Sequence, residues 1–422
     1  MPRPVVVAHH TRSGLAALNV VTAALQTDAA TADVEVRFAR DREELARELR
    51  SAAESGGVPV GAWSFYSPDF RTSAEDLSWV RGRAPGLHVA GGVHASAEPL
   101  ATLRAGFDLV AIGEGEATAV GLLAALIAGR DPRSVPGLAH LRDGKLCSNG
   151  PGERRPLDDF PAFNARARKW NALEITRGCI YACSFCQTPF MFKARFRHRS
   201  IANVRAHVAL MRRSGTVRYA RFLTPTCLSY GSADRSMNLD AVEDLLAAVR
   251  DELPHGRIYF GTFPSECRPE HVTPEALRVL RKYVDNRQLV IGGQSGSDRV
   301  LAAMHRGHSV EDVRRAVRAC IEAGFVPDVD FLLGLPGETP EDRALSVAFA
   351  REIVDLGARI HGHSFMPLPG TPLADARPEQ IEEPARAALL RLESQGKMHG
   401  QWLAHRRIAQ DLVALRSSRD TG

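Results

Sequence analysis

The chain has 422 residues, 44% hydrophobic and 24% charged, with a formal net charge of +5, a composition that fits two or three globular domains. No apolar run reaches the about 18 residues of a membrane span. The N-terminus "MPRPVVVAHH" enters a strand without the apolar region of a signal peptide, and seven cysteines, three of them clustered, make no disulfide framework, so a cytoplasmic protein is expected. The arginines, densest in "RPLDDFPAFNARARKW" and "KARFRHRS", read as solvated surface in preference to a nucleic-acid face.

In chain order, "PVVVAHH" reads as a strand, "GLAALNVVTAALQ" as a helix, "DVEVRFA" as a strand and "REELARELRSAAES" as a helix. "VPVGAWSF" and "LHVAGGVHAS" follow as strands, then "AEPLATLRAG" (helix), "FDLVAIGEGE" (strand) and "ATAVGLLAALIAG" (helix). Alternating strands and helices imply a parallel sheet covered on both faces, a Rossmann-like α/β domain over residues 1–135. Residues 136–170 are rich in Pro, Gly and Asp and read as a linker with one small hairpin, "GLAHLRDGKLCSN", turning at Asp143-Gly144.

A second series starts near Ala172. Strand signals are "ALEIT", "RYARFL", "RIYFGTF", "QLVIGG", "VPDVDFLLGL" and "ARIHGHSF", with helical stretches between them. Six such units over 171–372 predict a partial (β/α)6 barrel, whose chemistry gathers at the carboxyl ends of the strands. Residues 373–422 read as a C-terminal helical region.

Cys179, Cys183 and Cys186 stand in Cys-x3-Cys-x2-Cys spacing directly after the strand "ALEIT". Thiolates gathered in one loop favour a soft metal or an iron–sulfur cluster. Three cysteines hold three corners of a four-iron cluster and leave the fourth iron open to a ligand. The alternative is a structural zinc with His198 or another residue as fourth ligand, although zinc more often takes paired Cys-x2-Cys knuckles.

The stretch "TRGCIYACSFCQTP", with Phe185 just before the last cysteine, resembles the signature of the radical S-adenosylmethionine (SAM) superfamily. The resemblance extends through "IGGQSGSDRVLAAMHRGHSVEDV", "DFLLGLPGET" and "RIHGHSFMPLPGTP", in the expected order. It implies a [4Fe-4S] cluster on the three cysteines and SAM bound at its open iron. The SAM pocket it implies includes Phe185, Gln294, Ser295, Arg299, Gly334, Gly337 and Glu338. At the second strand, "RFLTPTCLS" has Thr224 and Thr226 where an acidic partner of the SAM amine is usual. Gln294 and Ser295 also fit as a helix cap, and Glu338 as a turn residue.

The N-terminal unit resembles the cobalamin-binding domain of the class B radical SAM enzymes, through "GGVHASAEP" and "AIGEGEAT" at strand ends. The implied cobalamin contacts are His9, Gly14, Ser64, Gly91, Gly92, His94, Gly113, Glu114, Gly115 and Glu116. The loop "HHTRSG" has His9, His10 and Gly14 but lacks the aspartate of an Asp-x-His-x-x-Gly motif, which leaves the lower cobalt ligand unassigned. His94 reads equally as a structural loop residue.

Together the resemblances imply a methyltransferase acting on an unactivated carbon through a 5′-deoxyadenosyl radical and methylcobalamin, with a flavodoxin or ferredoxin as electron donor. Tyr230 and Cys227 are candidate catalytic residues, and Cys267 lies beyond the third strand. Cys147 and Cys320 read as structural. A non-methylating reaction on the same cofactors, a cobalamin or iron–sulfur sensor without turnover, and a zinc-binding nucleic-acid module are the other readings. Peptide or protein side chains, small metabolites and RNA all fit as substrate.

Overall fold

The computed structural model describes residues 3–417; the last five residues of the expected C-terminal helical region lie outside them. The chain divides into two compact units, Met1–Asn171 and Ala172–Gly422. Among the described residues no helix is long and apolar enough to cross a membrane.

In the first unit β1 (Pro4–His9), α1 (Leu15–Thr27), β2 (Glu35–Ala39), α2 (Arg42–Glu54), β3 (Val58–Ser64) and α3 (Phe70–Arg81) alternate. β4 (Leu87–Gly91), α4 (Gly92–Ala97), α5 (Pro99–Arg104), β5 (Leu109–Ala111) and α6 (Gly115–Ile127) follow, and β6 (Leu138–Arg142) and β7 (Lys145–Ser148) end the series. The sheet order is β2-β1-β3-β4-β5-β6-β7. β1 to β5 are parallel, and the β6–β7 hairpin adds antiparallel at the edge. Asp143 and Gly144 both have positive φ, as a two-residue hairpin turn requires.

The apolar run of β1 is buried from end to end because both faces of a parallel sheet are covered. Successive residues point to opposite faces. Val7 meets Leu45, Leu49, Leu77 and Val80 of α2 and α3, and Val6 meets Leu25, Leu122 and Leu123 of α1 and α6. Residues 157–171 do not hang free but fold back on α1. Asn164 Nδ2 donates to Thr22 Oγ1 at 3.0 Å, and Asn19 Nδ2 to Asn171 Oδ1 at 3.2 Å.

In the second unit β8 (Leu173–Glu174), β9 (Thr176–Arg177), α7 (Gln187–Met191), β10 (Arg197–His198), α8 (Ile201–Arg213), β11 (Tyr219–Leu223) and α9 (Leu239–Glu252) come first. Then come β12 (Arg257–Tyr259), α10 (Pro274–Tyr283), β13 (Gln288–Gln294), α11 (Asp298–Ala303), α12 (Val310–Glu322), β14 (Val326–Leu333), α13 (Pro340–Leu356) and β15 (Arg359–Ser364). β8, β11 and β12 form one parallel group, and β13, β14 and β15 another. The Cys267 N–H, donating to the Val290 carbonyl at 2.8 Å, stitches the groups together. The six-strand partial barrel expected from the sequence is therefore present.

The C-terminal region is helical in α14 (Glu383–Ser394) and α15 (Trp402–Ser417), with one departure: β16 (Met398–Gly400) extends the sheet beside β15. The reason is a pair of glycines. Gly362 and Gly400 are directly paired, and a Cβ on Gly400 would overlap the Gly362 carbonyl, so the two backbones approach closely only because neither carries a side chain.

His9 and His88 flank Trp63 in the first core. Trp63 Nε1 donates to His88 Nδ1 at 3.2 Å, and the His9 ring meets the indole edge at 4.3 Å. Burial lowers both imidazoles to about 4, so both are neutral in the fold and protonate more readily in the unfolded chain. Their stabilising contribution is complete above the ordinary histidine value and is lost as pH falls from about 6.5 toward 4. Each should cost on the order of 1–2 kcal/mol at pH 5. Urea unfolding at pH 7 and pH 5 should show this loss, and His9→Leu should make the pH dependence shallower; an unchanged slope would contradict the assignment.

Candidate functional site

β8 runs parallel beside β11, so the chain after it emerges at the carboxyl end of the barrel strands, where loops collect. β9 then pairs antiparallel with β10, with Thr176 opposite His198 and Arg177 opposite Arg197, closing the cysteine loop into a clasp. Gly178 has φ +85°, and a Cβ there would overlap the Arg195 carbonyl at the far side of the clasp. Arg199, 1% exposed, fixes the same corner: its Nε donates to the Glu174 carbonyl at 3.0 Å, and its carbonyl accepts from Tyr230 Oη at 2.6 Å.

Cys179, Cys183 and Cys186 converge inside this loop, where the Cys186 N–H donates to the Cys183 carbonyl at 3.0 Å. Burial raises the Cys179 thiol to about 11; repulsion from Cys186 and Cys183 adds to this, while the Tyr181 N–H and Arg268 oppose it. Burial also raises Cys186, opposed by Thr188 and Arg306 and increased by Cys183. A cation between the sulfurs would reverse these shifts, since thiolates are the binding form.

His198, the fourth ligand of the zinc alternative, is engaged elsewhere: Nε2 lies 2.8 Å from the Ser232 carbonyl and Nδ1 2.9 Å from Thr176 Oγ1. A carbonyl only accepts, so Nε2 carries the proton and Nδ1 accepts from the hydroxyl.

Beneath the loop lies a buried cationic network that sequence reasoning missed. Arg306 Nη1 donates to Cys183 Sγ at 3.4 Å and Nη2 to the Gly292 carbonyl at 2.7 Å. Arg268 stacks 3.6 Å from the Tyr181 ring centre, pairs with Glu270 at 2.5 Å and donates to the Arg306 carbonyl. No local spacing links Arg268 with Arg306, which lie in separate connections of the barrel.

The residues expected around SAM divide into two groups. Phe185 packs beside Val300, Met304, Leu335 and Phe365, with Arg306 5.9 Å from its ring centre. Gln294 ends β13 at φ +73° beside a register shift, a left-handed conformation that a non-glycine residue keeps only when its surroundings impose it. These two stand at the mouth with the cysteines.

The others are held by partners within the fold. Ser295 is 1% exposed and shares a hydrogen bond with Ser346 Oγ at 3.1 Å. Arg299 pairs with Asp342 and donates to the Gly337 carbonyl at 2.7 Å. Glu338, raised to about 7 by burial, accepts from the Gly334 N–H at 3.2 Å and lies against Arg343. Gly334 and Gly337 both have positive φ, and Glu379 approaches them, its N–H donating to the Gly334 carbonyl at 3.0 Å and its carboxylate accepting from the Gly337 N–H at 3.2 Å.

Tyr230 and Cys227, the catalytic candidates, are both buried. Tyr230 is 3% exposed, and its hydroxyl anchors the Arg199 carbonyl. Cys227 is fully buried, its sulfur 3.2 Å from that of Cys267, which is also buried. Neither presents a reactive atom to an open surface; an apolar strand end favours burial of such groups.

In the first unit, the order β2-β1-β3-β4-β5 places a topological switch between β1 and β3, and ligands bind outside the carboxyl ends at such a point. Gly14, Ser64, Gly91, Gly92, Gly113 and Gly115 all lie at these ends. A Cβ on Gly14 would overlap the Ser64 carbonyl, and one on Gly92, at φ +89°, would come 2.8 Å from Ser64 Oγ. The glycines thus let the β1, β3 and β4 loops close on one another. His94 is sequestered: it stacks on Phe70 at 4.3 Å, and Nδ1 lies 3.0 Å from Ser67 Oγ. His9 is in the core as described, Glu114 faces Arg154 at 3.8 Å, and Glu116 is buried.

Gly178→Ala should cost at least about 1–2 kcal/mol from the left-handed backbone alone and force the clasp open, so iron uptake on anaerobic reconstitution should fall sharply. Arg306→Met removes a cation beside Cys183 and should lower the potential at which bound iron is reduced, read by redox titration. Normal iron content in Gly178→Ala, or an unshifted potential in Arg306→Met, would contradict this account of the loop.

Comparison with known proteins agrees with the geometry. Residues 173–350 match the Radical SAM superfamily. A protein of Methanocaldococcus jannaschii named as a methylthiotransferase is 26% identical over 316 residues, 73% of this chain and 66% of that one. The tRNA-2-methylthio-N(6)-dimethylallyladenosine synthase of a Shewanella strain is 31% identical over 229 residues, 52% of this chain and 45% of that one. The chain therefore spans between about half and two thirds of these relatives' length. Among solved structures, the radical SAM methyltransferase TsrM from Kitasatospora setae, with cobalamin and a [4Fe-4S] cluster bound, superposes with a TM-score of 0.67 at 19% identity, covering 89% of this chain and 74% of that one. Over residues 173–350 the chain is thus similar to the radical SAM superfamily, and it shares the fold of the cobalamin-bound TsrM structure.

Proposed function

We propose that this chain is a cobalamin-dependent radical SAM methyltransferase that transfers a methyl group to an unactivated carbon. The observation that carries the reading is the clasped loop at the barrel mouth, which holds three free cysteines with an arginine N–H against one of them. Cys179, Cys183 and Cys186 would hold a [4Fe-4S] cluster, with SAM at its open iron beside Phe185 and Gln294. The loops of Gly14, Ser64, Gly92 and Gly113 would hold cobalamin at the switch point of the first sheet.

When bound, these groups supply a carbon-centred radical and a transferable methyl group, chemistry that belongs to the cofactors. The protein binds and orients. Gly178 lets the loop close, Arg306 holds positive charge against the thiolates, and the backbone of Gln294 turns the end of β13 across the mouth. His9 and His94 are engaged in packing against Trp63 and Phe70. A flavodoxin or ferredoxin would supply electrons. The substrate class remains a peptide or protein side chain, a small metabolite or RNA.

A second reading is methylthio transfer, favoured by the names of the relatives. Anaerobic turnover of the reconstituted chain with methyl-deuterated SAM separates the two. Methyl transfer predicts 5′-deoxyadenosine and S-adenosylhomocysteine together, dependent on added cobalamin, and a product heavier by one deuterated methyl alone. A product also carrying sulfur selects the second reading. Cys186→Ala should abolish 5′-deoxyadenosine formation; reductive SAM cleavage that survives it would overturn the assignment.

A further inference from the structure

β14 and β15 run side by side with Asp330 opposite His361 and Leu332 opposite His363. Along each strand, side chains alternate between faces. Phe331 points outward to Phe349 of α13, so Asp330 points inward, and His361 and His363, two residues apart on β15, share that inner face. The stretch "RIHGHS" thus puts two imidazoles and a carboxylate on the concave side of the barrel. None of the three takes part in the cysteine loop.

The distances are those of a ligand set. His361 Nδ1 lies 2.9 Å from Asp330 Oδ1, His363 Nε2 3.2 Å from His361 Nδ1, and His363 Nε2 3.7 Å from Asp330 Oδ1. Three ligands about 2.1 Å from one cation lie about 3.0 Å apart at right angles and about 3.4 Å apart at tetrahedral angles. Among the described residues these three form a group of histidine and carboxylate ligands gathered closely enough to hold an ion. Nδ1 of His361 faces both Asp330 Oδ1 and Nε2 of His363, so three metal-binding atoms meet at one point.

The surroundings favour a cation. Asp328 pairs with His399 at 2.9 Å, and the His399 ring stacks on that of His361 at 4.6 Å; the His405 ring stacks on His363 at 5.4 Å. The described ion pairs of Asp328 and Asp330 are with histidines, not with arginine or lysine. The side chains of His361 and His363 are 25% and 31% exposed, so one side of the triangle stays open to the barrel interior.

We infer that Asp330, His361 and His363 form a binding site for a divalent first-row transition metal ion in the barrel, distinct from the cysteine loop. Two imidazoles and one carboxylate on one face of the ion, with the remaining positions open, is the donor set of a mononuclear centre that accepts an oxygen or nitrogen ligand from solvent or substrate. Mn2+ is the useful probe, because it prefers oxygen and nitrogen to thiolate and so bypasses the three cysteines.

The test is Mn2+ binding to the full chain carrying its reconstituted cluster, followed by EPR. The site predicts saturable binding of a single ion, with nuclear coupling from two imidazole nitrogens in pulsed EPR of the unmodified protein. His363→Asn and Asp330→Asn should each weaken binding by about 100-fold or more, beyond the 10–100-fold of an outer-shell change, while iron and sulfide contents stay constant. Absence of imidazole coupling in the unmodified protein, or binding unchanged in both variants, would overturn the inference. Neither outcome depends on SAM cleavage, so the methyltransferase reading stands or falls separately.

Discussion

Burial and the repulsion of neighbouring sulfurs push the protons onto Cys179 and Cys186, in a loop whose two ends are clasped by the pairing of β9 with β10. Such a loop becomes a binding site when a positively charged cluster replaces the protons. Gly178, Arg199 and Tyr230 hold the loop in shape, and Arg268 and Arg306 place positive charge against it.

The loop owes its position to parallel strands, which deliver each strand-to-helix connection to one end of a sheet. Both units are built on that rule, with different outcomes. In the second unit the carboxyl ends carry chemistry-bearing side chains: cysteines after β9, Gln294 at the end of β13. In the first unit they carry glycines, which make room for one another and for the loops of β1 and β3. A surface made mostly of backbone suits a large flat ligand held by many weak contacts; a surface of thiols suits metal.

The alternation of strands and helices was legible from the sequence because parallel strands buried on both faces read as continuous apolar runs, as in "PVVVAHH". The cysteine loop was legible because its three ligands are local. Residues 157–171 were harder, since their attachment to α1 rests on amide pairs such as Asn164 with Thr22, which leave no hydrophobic periodicity. β16 was missed for a related reason: a three-residue strand admitted by Gly362 and Gly400 has no pattern of its own. Tyr230 and Cys227 stood out by residue type alone, and only the assembled barrel shows them buried against Arg199 and Cys267. Arg306 and Asp330 act with partners on other strands, so only the assembled barrel brings their roles together.

The central claim is that the cysteine loop holds a cluster with one corner left open. EPR of the reduced, reconstituted protein with and without SAM tests it most directly. An open iron predicts a cluster signal that changes on SAM addition, with hyperfine coupling to isotopically labelled amine nitrogen and carboxylate oxygen of the methionyl group. A cluster signal indifferent to SAM, or zinc without sulfide in the metal analysis, would contradict it.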